Sequence, residues 1–240
     1  LPQPSPNTQG RYDSGVRPSV RVVYLIPADR EPRADYTRAI GNACGHVQRW
    51  YWEQLGRQRT FRLHEPFPEI VRMRHPERWF STHPRPANRT QWYWENLLGE
   101  AFELTGAGFD DAAHRWVFYA DAEHDPGQSV GAAAGVAVLP EHDLVGLIGD
   151  VRPGHLKGAP RWVGGLGHEL GHALGLPHPL ACEKDGSRPE CQCLMYLGYV
   201  RYPATFLLEE EKAQLLASPF IAPASPLRRR FSAVDLLRAR

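Results

Sequence analysis

The chain has 240 residues, 42% hydrophobic and 23% charged, with a formal net charge of +1 at pH 7. That length supports one domain, or one domain of two lobes, with a sizeable core. The balance lacks the basic excess of nucleic-acid binders, and no apolar run reaches membrane-spanning length, so neither partner is expected.

In chain order, residues 1–19 are rich in Pro, Ser, Gly and Asn and read as a flexible N-terminal arm. Its opening, "LPQPSPNTQG", has neither a basic start nor an apolar core and looks like the start of a processed or trimmed chain. "VRVVYLIP" (20–27) is apolar on both faces, as a buried strand requires. Asp35 is placed to cap a helix that runs to Gly56. "TFRLHEP" and "EIVRM" read as short strands, and the proline-rich, basic stretch 74–90 as irregular. A second helix, "TQWYWENLLGEAFELTG", stops at Gly106 and closes an insertion spanning 74–106.

Three strands are then expected: "RWVFYADA" (115–122), "GAAAGVAVL" (131–139) and "LVGLIGD" (144–150). A helix over 161–174 follows, then a loop-rich segment with a short helix, "EEEKAQLLA", and a basic tail. This order predicts an α+β fold: a twisted mixed sheet of about five strands with helices packed on it. An upper lobe (20–175) and a lower lobe (176–240) together make one catalytic domain with a cleft between them. "WYWEQL" (50–55) and "WYWENL" (92–97) echo each other; the reading is aromatic residues laid on the sheet, with a carbohydrate platform as the sharper alternative.

The four cysteines are Cys44, Cys182, Cys191 and Cys193. An even number, three of them in one loop, fits one or two disulfides in an oxidising compartment; "CEKDGSRPECQC" lacks the paired spacing of a zinc knuckle. Cys191 and Cys193 are too close to bridge each other without strain. Two bridges would therefore pair them separately with Cys182 and Cys44, in either order.

The densest chemistry lies in "GHELGHALGLPHP" (167–179). Residues four apart on a helix lie about 40° apart around its axis, so His168 and His172 can bite one ion. Glu169 points to the side of that pair, where it can reach a water without binding the metal. His178 is too far along to sit on the same helix, and Gly175 accepts the backbone conformation needed to turn the chain back. Three neutral imidazoles with an open fourth position describe a catalytic zinc ion, and Glu169 is placed as the base that activates its water.

"HELGHALGLPH" resembles the extended zinc signature of the metzincin metallopeptidases at every fixed position. That resemblance implies a methionine turn beneath the metal, for which "CLMYLGY" offers Met195, and an edge strand that pairs with extended substrate, for which 131–140 is the candidate. Pro179 is similar to the serralysin subgroup, but the tyrosine expected two residues after the turn methionine is Leu197. Tyr196 or Tyr199 would serve as oxyanion or pocket residues only in a remodelled turn.

The implied protein is a monomeric, secreted or periplasmic zinc endopeptidase acting on a protein or peptide. "YLGYVRYP" is expected to wall its pocket, and Arg201 there would favour acidic side chains. The alternatives are a zinc-retaining protein- or glycan-binding module and a zinc hydrolase of a non-peptide amide. Calcium at "DAEHDPG" or at Asp110–Asp111 lacks a recognisable loop pattern. His46, His64, His75, His83, His114, His124, His142 and His155 read as isolated surface or hydrogen-bonded side chains.

Overall fold

A computed structural model describes residues 17–149 and 159–223; most of the N-terminal arm, His155 and the basic tail lie outside them. In chain order the elements are β1 (Ser19–Ile26), α1 (Ala34–Gln54), β2 (Arg59–Phe61), β3 (Glu69–Arg72), α2 (Glu77–Thr82), α3 (Trp92–Thr105), β4 (His114–Ala120), β5 (Gly131–Ala133), β6 (Val136–Leu139), α4 (Glu141–Leu147), α5 (Ala159–Ala173), α6 (Leu180–Lys184), α7 (Glu209–Ala217) and β7 (Ile221–Pro223). The main sheet has five strands in the order β3-β1-β4-β6-β5. Its first four strands are parallel and the edge strand β5 runs antiparallel to β6. This is the α+β fold with a mixed five-stranded sheet.

Strand alternation explains why these runs are apolar throughout. Along β1, Val20, Val22, Tyr24 and Ile26 enter one core, while Val23 and Leu25 enter the other. β4 divides in the same way, with Val117 and Tyr119 on one face and Trp116, Phe118 and Ala120 on the other. The first core holds the inner faces of α1, α4 and α5; the second is closed by α2 and α3. Trp50, Tyr51 and Tyr93, from the two echoing segments, are buried in these cores, so the aromatic repeat is packing. A small ladder between β2 and β7 ties the C-terminal segment back to the chain after α1.

Several local expectations are corrected. The run 131–139 is a hairpin of two strands, because Ala134 (φ 46) and Gly135 (φ 86) form a two-residue turn with positive φ at both positions. The run 144–150 is helix over its first four residues, and Asp150 lies outside the described residues: α4 starts after Pro140 and carries Glu141 and Asp143 in its first turn, where acidic groups meet the helix dipole. A short apolar run alone does not separate a buried strand from a buried helix. Within the stretch read as irregular, α2 forms after Pro76. Arg33, not Asp35, is the N-cap of α1; Asp35 sits in the first turn and accepts from Arg33 and from the Tyr36 N–H.

One disulfide forms, Cys182–Cys191, while Cys44 and Cys193 are buried and unbridged. Cys44 is enclosed by Val22, Val117 and Leu166 in the core beneath the sheet, and burial pushes its thiol up to about 12.

The helix α7 carries a buried acid with a measurable consequence. Glu211 accepts the Leu208 N–H at 2.8 Å and is 4% exposed, and burial pushes its carboxyl up to about 7. Such a carboxyl takes up a proton on folding, so its contribution is full below the ordinary carboxylate range and is lost as pH rises through about 7. Glu211→Gln keeps the acceptor and removes the charge. Chemical denaturation is expected to show the variant more stable by roughly 2 kcal/mol at pH 8 and unchanged at pH 4.

Candidate active site

The helix α5 lies on the first core through Leu166, Leu170 and Ala173, which leaves His168 and His172 on its opposite side and Glu169 on the flank, about 100° around the axis from His168. Beyond it, Gly175 takes φ 100, the Gly175 N–H donates to His172 O at 2.9 Å, and the Leu176 N–H donates to Gly171 O at 2.9 Å. This reversal returns the chain so that His178 faces the two helical histidines.

Each histidine is oriented through its Nδ1–H. His168 donates to Leu194 O at 2.8 Å, His172 to Leu176 O at 2.7 Å, and His178 to Glu183 Oε1 at 2.9 Å. That fixes the tautomer in which every Nε2 carries a lone pair. The three Nε2 atoms converge: His172 lies 3.0 Å and His178 3.4 Å from His168. Lone pairs so close repel unless a cation sits between them. Tetrahedral zinc–nitrogen bonds of about 2.0–2.1 Å put neighbouring donors about 3.3 Å apart, so the donor set fits zinc. Burial pushes His168 down to about 4 and lowers His172, which keeps both rings neutral and ready to bind.

Met195 is fully buried and its sulfur packs against Gly171, in the helical turn between His168 and His172. Leu194, its neighbour, supplies the carbonyl that orients His168. Tyr199 tilts over the His168 ring at 4.9 Å and Tyr196 meets His178 edge-on at 5.8 Å, so both flank the cluster. Leu197 is exposed.

Glu169 borders a cavity of about 170 Å³ whose wall includes Gly131, His142, Asp143, Arg161, Trp162 and Tyr199. Burial pushes the Glu169 carboxyl up to about 7, with the nearby Asp143 charge adding and Arg161 opposing. A side chain on Gly131 would come within 3.2 Å of Glu169 Oε2, so the edge strand β5 runs directly past this carboxylate. Asp143, held up at about 6 by burial, and the Arg161 guanidinium, stacked over Trp162 at 4.3 Å, give the wall its polar character.

The sequence did not single out Glu183, Asp143, Arg161 or Trp162. Glu183 was readable only as part of a cysteine loop, and the other three reach the site through α4 packing against α5. Among the acidic residues read against calcium, Asp125 takes Arg78 and Arg89, and Asp121 takes Tyr24 and Arg30. Among the described residues, no helix is long and apolar enough to cross a membrane.

Fold and site together describe a mixed-sheet domain with a three-histidine cluster able to hold a metal ion. No protein-family model and no curated protein matches the chain. Among solved structures, the fold is shared with wild-type OgpA from Akkermansia muciniphila, at a TM-score of 0.57 and 21% identity over 85% of this chain and 62% of that one. Catalytically inactive OgpA in complex with an O-glycopeptide substrate, glycodrosocin, matches at 0.57 and 19% over 91% of this chain and 64% of that one. The chain thus spans less than two thirds of the OgpA length. A zinc-dependent peptidase from Methanocorpusculum labreanum is also similar, at a TM-score of 0.34 and 14% identity over 80% of this chain and 99% of that one.

Proposed function

We propose that this chain is a zinc-dependent endopeptidase of the metzincin type, with His168, His172 and His178 as ligands and Glu169 as general base. The observation that carries the reading is the convergence of three Nε2 lone pairs, each aimed by a hydrogen bond on its own Nδ1. When bound, one zinc ion supplies Lewis acidity, which acidifies a water and polarises a carbonyl. Glu169 takes the proton of the attacking water and delivers it to the leaving amine; a carboxylate held near neutral is suited to both directions. Tyr199, on the cavity wall, is the tyrosine assigned to the oxyanion or pocket, and Tyr196 the one that supports the His178 ring.

The substrate backbone is assigned to the free edge of β5, where main-chain pairing gives affinity with little side-chain selectivity. This narrows the expected 131–140 segment to Gly131–Ala133, because β6 lies inside the sheet between β4 and β5. The disulfide fits a secreted or periplasmic setting. The presence of Glu169 beside the ligands favours catalysis over a module that only binds, and the free sheet edge favours a peptide over a small amide. The test is digestion of a denatured protein with zinc-loaded enzyme, which is expected to yield internal cuts.

A second observation refines the substrate. The cavity beside Glu169 is walled by hydrogen-bonding groups, His142, Asp143 and Arg161, together with the Trp162 ring. That lining suits a substituent rich in hydroxyls, and the similar OgpA has been captured with an O-glycopeptide. Matched peptides with and without an O-linked sugar are expected to differ at least tenfold in kcat/KM in favour of the glycosylated form. Equal rates would remove this refinement and leave the peptidase.

Glu183 is the orienting partner of the most exposed ligand, His178, whose side chain is 42% exposed. Removing a ligand's hydrogen-bond partner costs about 10–100-fold in metal affinity. Glu183→Ala is therefore expected to weaken zinc binding about tenfold in a competition titration against a chromogenic chelator, with the fold unchanged by circular dichroism.

A further inference from the structure

Away from the three-histidine cluster, Glu123, His124 and His142 bring one carboxylate and two imidazoles within 4.8 Å of one another. They come from the turn after β4 and the first turn of α4, and all three are partly buried. The Glu123 carboxylate is aimed by two backbone donors, the His124 N–H at 3.1 Å and the His142 N–H at 2.9 Å. Glu123 Oε1 lies 2.9 Å from His142 Nδ1 and 3.4 Å from His124 Nε2. These separations bracket the roughly 3.3 Å between donors around tetrahedral zinc.

The nitrogens that face away from the cluster are also partnered. His124 Nδ1 lies 3.0 Å from Asp125 O, and His142 Nε2 lies 3.2 Å from Asp143 Oδ2. A ring that donates its outer N–H to a carbonyl or carboxylate presents a lone pair on its inner nitrogen. The same arrangement orients the ligands on α5 and after it. Without an ion, the same contacts set both imidazoles against the single Glu123 carboxylate, His142 Nδ1 at 2.9 Å and His124 Nε2 at 3.4 Å, with Asp143 behind His142.

We propose that Glu123, His124 and His142 form a second binding site for a divalent transition-metal ion, zinc by its N₂O donor set, separate from the α5 cluster. Bound there, the ion ties the turn after β4 to the start of α4. It thereby holds His142 and Asp143, which wall the cavity beside Glu169. The proposal does not depend on the protein being a peptidase.

The test is zinc stoichiometry of the full chain after chelator treatment, titrated with zinc alone and read by elemental analysis of the desalted protein. Two equivalents are expected for the wild type, one for His172→Ala, one for His124→Gln and none for the double variant. One equivalent in the wild type with none in His172→Ala would overturn the second site while leaving the first. Two equivalents retained by both His124→Gln and Glu123→Gln would also overturn it, because the second ion would lie elsewhere. Thermal melts of zinc-free protein check the fold: His124 is partly exposed, and its variant is expected to melt with the wild type.

Discussion

Glu169→Gln is expected to lower kcat/KM on any cleaved peptide by roughly 10²–10⁴-fold, the usual contribution of a positioned general base, while the protein keeps zinc on the α5 cluster. The separation follows from geometry. The proposed ligand atoms are three Nε2 nitrogens on rings held by carbonyls and by Glu183, and none of those contacts involves Glu169. The carboxylate lies beside the cluster, against β5 and the polar cavity, where it is available to a water and to a bound main chain. The amide of glutamine has the same shape and cannot take the proton. Kinetics on a fluorogenic peptide, with zinc content measured on the same samples, checks both halves. Loss of zinc along with activity would make Glu169 a ligand or a structural residue.

Gly164→Ala is expected to be the most damaging small substitution in α5. A Cβ there would overlap the backbone carbonyl oxygen of Tyr199 and stand 2.7 Å from Tyr202 Cβ. Backbone cannot swing aside as a side chain can, so the segment that follows Met195 must move away from the helix. Alanine favours helix by about 1 kcal/mol over glycine, but overpacking of this kind costs about 1–3 kcal/mol or more and here meets main chain. A net loss of about 2 kcal/mol lowers the melting temperature by about 4–8 °C in a chain of this size. Gly165→Ala is the internal control: its Cβ would meet the end of the Arg161 side chain at 3.0 Å, which can shift, and Asp143 Oδ1 at 3.5 Å, an ordinary contact. Differential scanning calorimetry of the two variants is expected to separate them clearly.

The glycines of "GGLGHELGHALG" show how far the sequence could be read. Their count argues against a stable helix by propensity alone, yet α5 spans all but Gly175, and Tyr199 and Tyr202 approach its backbone at Gly164 and Met195 at Gly171. The arrangement of His168, His172 and His178 was legible because helical spacing and a glycine turn are local rules. Strands β1 and β4 were legible for a similar reason, since a run buried on both faces needs no partner to be recognised. The hairpin at Ala134–Gly135 was not, because a two-residue turn with positive φ at an alanine leaves no mark in an apolar run, and the helix at Glu141–Leu147 was not, because a short apolar run satisfies strand and helix equally.

Longer-range pairings left weaker traces. Cys182–Cys191 was one of several allowed bridges, and the separate apolar enclosure of Cys44 is a property of the packed core. His124 and His142 read as isolated because eighteen residues separate them; the alignment of β4 with β6 brings their flanking turns together. The polar cavity beside Glu169 has the same origin, built from β5, β6, α4 and α5 together.

On the proposed function, the α5 cluster binds zinc and cleaves peptide bonds. Its most direct test is a proteome-derived peptide library digested by the zinc-loaded wild type and by the same preparation stripped of metal, with new peptide ends read by mass spectrometry. New internal ends should appear only with zinc and should map an extended binding site on both sides of the cut. A zinc-loaded protein that makes no new ends, or a stripped protein that cuts as well, would exclude zinc-dependent peptide cleavage at this site.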